Sequence, residues 1–129
     1  MHKKFSYILD TSALIAYLAN ENGAKQISSI LNDSAVPFIC LTELYYLIWN
    51  KHGKSKADSI YAIIKSWDMP ILLPNERVIL NAGRLKAVYK LGIADSYIAS
   101  FALEYNHKLV TKDLDYKILK NEIAIYIPK

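Results

Sequence analysis

Short apolar runs alternate with longer stretches of helical periodicity along the chain, and no two of the short runs are joined by a tight hairpin signal. That alternation is the feature that most restricts the fold. The runs are Tyr7–Leu9, Val36–Cys40, Ile71–Leu73, Leu109–Val110 and Ile123–Ile127. Between the first four of them, two helices are predicted each time. Ser12 to Ala19 forms one, with Thr11 or Ser12 near its start, and Ala24 to Leu31 another after the break at Gly23. Thr42 opens a strongly apolar helix to about Trp49, and Ser55 caps one over Lys56 to Ser66. Asn75 caps a helix to about Lys90 that Gly92 closes, and Asp95 caps Ser96 to Tyr105. Strands that are apolar throughout, not alternating, are those buried on both faces. The expectation is a three-layer α/β/α sandwich around a central, mainly parallel, five-stranded sheet.

Composition narrows the function classes. A chain of 129 residues suits one domain, spanning 1–129. Its 53% hydrophobic content is ample for a core, which excludes a disordered chain. The single cysteine, Cys40, makes neither an internal disulfide nor a zinc cluster, so a reducing, cytoplasmic setting is expected. Apolar stretches are interrupted by Asp10, Glu43 or Asp95 before reaching the length of a membrane span. The basic start, Met1 to Lys4, meets Asp10 too early for a signal peptide. The four glycines are isolated, which argues against a phosphate-cradling loop. A net charge of +4 is compatible with an anionic partner.

Acidic residues carry the chemistry. Asp10 directly follows the first strand, Glu43 lies three residues past Cys40, and Asp113 lies three past Val110. In an open parallel sheet, sites form at the carboxyl ends of strands near the switch in strand order. Asp95 begins the helix leading into the fourth strand, so it falls near the same edge. Each acid also has an ordinary explanation: Asp95 as a helix cap, Glu43 as a first-turn residue suited to the helix dipole, Asp113 as the start of a turn. Together, however, clustered carboxylates repel unless protonated or neutralised by a cation. A set of oxygen ligands without His or Cys favours Mg²⁺ or Mn²⁺. Such a centre activates water and neutralises a phosphoryl oxygen, which points to phosphodiester hydrolysis.

The segments YILDTSALIAYL, LTELYYLIW and LGIADSYIASFALEYNHKLVTKD resemble the PIN-domain nucleases, in particular VapC-type toxins of prokaryotic toxin–antitoxin pairs. The likeness runs over nearly the whole chain. It implies a PIN-like fold and Mg²⁺- or Mn²⁺-dependent endoribonuclease activity. The acidic positions carry over onto Asp10, Glu43, Asp95 and Asp113, with Asp10, Asp95 and Asp113 as metal ligands. Thr11 and Ser12 match the hydroxyl residues after the first acid, and Thr111 the hydroxyl before the last. With Lys112, which adjoins a ligand, they make up the expected substrate-side set. Asp113 is preferred to the nearby Asp115, and Tyr116, where the family usually has Phe, reads as a packing substitution.

The resemblance also implies an RNA substrate, a cognate antitoxin and a homodimer. Lys51, His52, Lys54 and Lys56, Arg77 with Arg84, and Lys86 with Lys90 are candidate phosphate contacts, or simply a solvated surface. Tyr45, Tyr46, Trp49, Tyr61 and Trp67 crowd the middle helices as core residues or as an association surface. Alternatives are an RNA-processing nuclease without an antitoxin and an inactive binding module. A haloacid-dehalogenase-like phosphatase fits poorly, because Ser12 stands where a second Asp is needed.

Overall fold

A computed structural model describes residues 4–129; the basic start at Met1–Lys3 lies outside the described residues. Five strands form one sheet, β1 (Tyr7–Leu9), β2 (Ser34–Pro37), β3 (Ile71–Leu72), β4 (Lys108–Val110) and β5 (Ile125–Tyr126), in the order β3-β2-β1-β4-β5. Every neighbouring pair is parallel. Six helices connect them: α1 (Thr11–Leu18), α2 (Ala24–Ile30), α3 (Phe38–His52), α4 (Lys54–Ser66), α5 (Glu76–Tyr89) and α6 (Ile93–Tyr105). The α/β architecture expected from the alternation is therefore the one formed. No helix among the described residues is long and apolar enough to cross a membrane.

The strand order turns at β1. Strands β2 and β3 extend to one side of it, and β4 and β5 to the other. Ile8 sits opposite Leu109 and Leu9 opposite Val110, and the Asp10 amide donates to the Val110 carbonyl at 3.2 Å. The chain segments leaving β1 and β4 thus start side by side, at the switch point where open parallel sheets place their sites. Ile8, Leu9, Leu109 and Val110 are fully buried, as continuous apolar central strands require.

Local details depart from the sequence reading in four places. The second strand is Ser34–Pro37, and Phe38, Ile39 and Cys40 already belong to α3. Pro37 cannot donate to a ladder, so pairing ends there, and the apolar run beyond it turns helical, burying Cys40, Leu41 and Leu44. Glu43 is consequently in the second turn of α3, not the first. Helix α4 starts after Gly53, with no side-chain cap from Ser55. Helix α5 is capped by Asn75 as expected, its side chain accepting from the Val78 amide at 2.9 Å, but ends on Lys90 in the left-handed conformation. Gly92 instead begins α6, which leaves Asp95 inside the first turn and not at the cap.

The C-terminal tail is fastened beside α2. Gly23 has φ of 94°, and a Cβ there would lie 2.8 Å from Pro128 Cβ. The Lys112 ammonium donates to the Pro128 carbonyl at 3.1 Å, and the Lys129 amide donates to the Gln26 side chain. Gly23→Ala is expected to lower stability by about 1–3 kcal/mol, from left-handed strain and displacement of the tail. The midpoint of urea unfolding measures this, and an unchanged midpoint would show that the close approach costs nothing.

Candidate active site

Asp10 is 3% exposed and caps α1. Its Oδ1 accepts from the Ala13 amide at 2.8 Å and from the Ser12 hydroxyl at 2.7 Å. Its Oδ2 accepts from the Thr111 hydroxyl across the β1–β4 switch point. Capping alone would need one of these three donors. Burial raises the Asp10 carboxyl to a pKa of about 6, despite the Thr111, Ala13 and Ser12 hydrogen bonds that favour its ionised form; the charge of Asp113 raises it further.

Thr111 and Ser12 connect Asp10 to the loop after β4. The Asp113 amide donates to Thr111 Oγ1 at 2.9 Å, and the Lys112 amide donates to Ser12 Oγ at 2.9 Å. The two hydroxyls lie 3.3 Å apart. Asp113 then starts a 3₁₀ turn over Leu114–Leu119, its carboxylate accepting from the Asp115 amide at 2.9 Å. The turn expected at Asp113 is thus present, and Asp115 supports it through its backbone while its side chain is exposed.

The other two acids arrive on helices. Glu43 on α3 accepts from the Thr11 hydroxyl at 2.6 Å, which joins α3 to the first residue of α1. Asp95, half-buried in the first turn of α6, accepts from the Tyr116 hydroxyl at 3.0 Å. Burial raises the Asp95 carboxyl above the usual range; the Tyr116 bond opposes this, and the charges of Asp113, Glu43 and Asp115 add to it. The acids from four separate segments are therefore close enough to act on one another electrostatically.

Among the described residues, however, no three His, Cys, Asp or Glu side chains converge tightly enough to enclose a metal ion. The donor chemistry still suits a hard cation. Mg²⁺ retains several waters and is commonly held by only one or two carboxylates, so it does not need an all-protein cage. The set contains no soft ligand: Cys40 is buried, its thiol is pushed well up by burial, and it points to the Leu9 carbonyl at 3.8 Å.

Several expected substrate contacts have other partners. The Lys112 ammonium donates to the carbonyls of Asn22 at 2.8 Å and Pro128 at 3.1 Å. Arg77 pairs with Glu104 and Arg84 with Glu122, at 2.8 Å and 2.7 Å. Lys54 pairs with Asp58 at 2.6 Å, and Lys86 donates to the Leu91 carbonyl. Thr11, Ser12 and Thr111 orient acids. Tyr116, read from sequence as packing, is a fully buried ring whose hydroxyl reaches an acid. The signal available was a phenol at an apolar position three residues past Asp113.

A family model described as the PIN domain matches residues 7–121. No curated protein sequence matches the chain. Among solved structures, the chain is similar to DNA-bound VapBC from Salmonella typhimurium, with a TM-score of 0.79 and 17% identity over 95% of this chain and 98% of that one. It is also similar to VapBC-1 from nontypeable Haemophilus influenzae, with a TM-score of 0.75 and 22% identity over 94% of this chain and 96% of that one. VapBC-5 from Mycobacterium tuberculosis, a member of the VapBC family of toxin–antitoxin systems, has a TM-score of 0.71 and 20% identity over 96% and 98%. The shared fold and a family match spanning every element from β1 to the 3₁₀ turn over Leu114–Leu119 lead to one conclusion: the chain belongs to the PIN domain family.

Proposed function

We propose that this protein is a Mg²⁺- or Mn²⁺-dependent endoribonuclease and the toxin of a VapBC-type pair, acting in the cytoplasm. The observation that carries the catalytic reading is the burial of Asp10 at the switch point, with three donors holding its carboxylate and the charge of Asp113 acting on it. A scaffold has no need of a carboxylate that burial disfavours; a cation site does.

Asp10, Asp95 and Asp113 would hold the ion, directly or through water. A bound ion would supply a Lewis acid for the phosphoryl oxygens and lower the pKa of bound water. Ser12 and Thr111 keep the Asp10 oxygens oriented, and the Asp115 amide fixes the Asp113 carboxylate. Glu43, held at one oxygen by Thr11, orients the attacking water and accepts its proton. In-line attack by water leaves 5′-phosphate and 3′-hydroxyl ends.

The partner reading rests on a groove of about 600 Å³ lined by Phe38, Leu41, Thr42, Tyr45, Asp58, Tyr61 and Ile71. Its apolar walls suit the carboxy-terminal segment of an antitoxin. Exposed Leu73, Leu80 and Val88 suit a second copy of the chain.

Total RNA incubated with the protein is expected to be cleaved with Mg²⁺ or Mn²⁺ and left intact in EDTA. Mapped ends are expected to carry 5′-phosphate. Cyclic 2′,3′-phosphate ends, or full cleavage in EDTA, would overturn the mechanism. Growth arrest on induction, reversed by a neighbouring antitoxin gene, tests the toxin assignment.

A further inference from the structure

Tyr116 is 1% exposed, among the largest side chains buried in the core, and its hydroxyl donates to Asp95 Oδ1 at 3.0 Å. A buried hydroxyl without a partner destabilises a fold, whereas a Phe of the same shape would fill this space at no such cost. The ring alone therefore does not account for a phenol here. Its hydroxyl reaches a carboxylate on a different element, 21 positions away in sequence.

The place of Tyr116 in the chain matters as much as its contact. It lies on the 3₁₀ turn that Asp113 caps. The same short turn thus anchors Asp113 through the Asp115 amide and reaches Asp95 through the phenol. At its start, the Asp113 amide is tied to Thr111, and Thr111 to Asp10. Hydrogen bonds from Asp10 through Thr111 to Asp113 and Asp115, and from the adjoining Tyr116 to Asp95, thus meet on one short turn. Asp95 sits in the first turn of α6, and the phenol holds its Oδ1.

We propose that Tyr116 is a positioning residue for the cation site, its hydroxyl setting the orientation of the Asp95 carboxylate relative to Asp113. The proposal rests on the metal-dependent reading above. Hydrogen-bond partners that orient a metal ligand commonly govern affinity as strongly as some ligands do.

The test is calorimetric titration of the full chain with Mn²⁺ alone, comparing wild type, Tyr116→Phe and Asp95→Asn, with melting in EDTA as the control for folding. Tyr116→Phe is expected to melt close to wild type, because the ring still fills the core, and to bind Mn²⁺ roughly 10-fold more weakly. RNA cleavage at saturating Mn²⁺ is expected to show a lower kcat with an unchanged KM. Wild-type Mn²⁺ affinity and kcat in Tyr116→Phe, alongside weakened binding by Asp95→Asn, would overturn the positioning role and leave the metal reading standing. No Mn²⁺ binding by wild type, or undiminished binding by Asp95→Asn, would overturn the ligand assignment and this proposal with it.

Discussion

Asp10→Asn is expected to remove nuclease activity while making the metal-free protein more stable. Both effects follow from one carboxylate. Asn keeps the shape and an oxygen for the Ala13 amide and the Ser12 hydroxyl, so the α1 cap survives. Its amide can donate to Thr111 Oγ1, whose own hydrogen is free to rotate. The negative charge is lost, and with it a metal ligand. Turnover is expected to fall by more than the roughly 10–100-fold typical for residues that merely support a ligand.

The stability gain comes from the same burial. In the folded protein the Asp10 carboxyl titrates at about 6, against 3.8 for the ordinary group. Between these values the folded state holds a proton that the unfolded state has released, so the stability of the metal-free wild type declines as pH rises through this window. Above it the deficit is complete and amounts to on the order of 3 kcal/mol. Asp10→Asn lacks that decline. In EDTA near neutral pH it is expected to melt several degrees above wild type, and near pH 4 about level with it. Added Mn²⁺ is expected to raise the wild-type melting temperature and not the variant's. A variant that keeps its turnover would remove Asp10 from the site. One that melts lower in EDTA at neutral pH would show that the carboxylate is a net structural asset.

Thr111→Val is expected to be the more damaging change to the fold. Thr111 is fully buried and nearly isosteric with Val, so its packing volume is retained. What goes is the donor to Asp10 Oδ2 and the acceptor for the Asp113 amide. Two groups, one of them charged, are left without that partner in the interior, at a cost of about 2–4 kcal/mol. The loss also removes a hydrogen bond that favours ionised Asp10, so its carboxyl shifts further upward. Cleavage is expected to drop by roughly 10–100-fold, with Mn²⁺ affinity falling in parallel. Thermal melting and Mn²⁺ titration of the purified variant measure both, and wild-type values in both would show that the Asp10–Thr111–Asp113 link is incidental.

The family and the parallel α/β fold were legible in the linear chain because each leaves a local mark. The apolar run Tyr7–Leu9 ending on Asp10 shows a buried strand stopping at a charge, and the lack of hairpin turns shows parallel pairing. Boundaries were less legible. Phe38, Ile39 and Cys40 are as apolar as a strand, and periodicity does not separate a short buried strand from the first turn of a buried helix. Pro37 was the clue: a residue without an amide donor ends the ladder. Asp95 resembled a cap because Asp before an apolar run usually is one, yet α6 had already started at Ile93.

Periodicity, composition and the order of the acids suffice for an α/β chain with carboxylates at its strand ends, since these depend on neighbours a few residues apart. Pairing of β4 against β1 could not be read that way. It brings the Thr111 hydroxyl to Asp10 across 101 positions, turns the Lys112 ammonium toward Asn22 and Pro128, and carries the Tyr116 phenol to Asp95. Those contacts depend on strand order and register, which are settled by the packing of the whole core and leave no trace in any local stretch of residues.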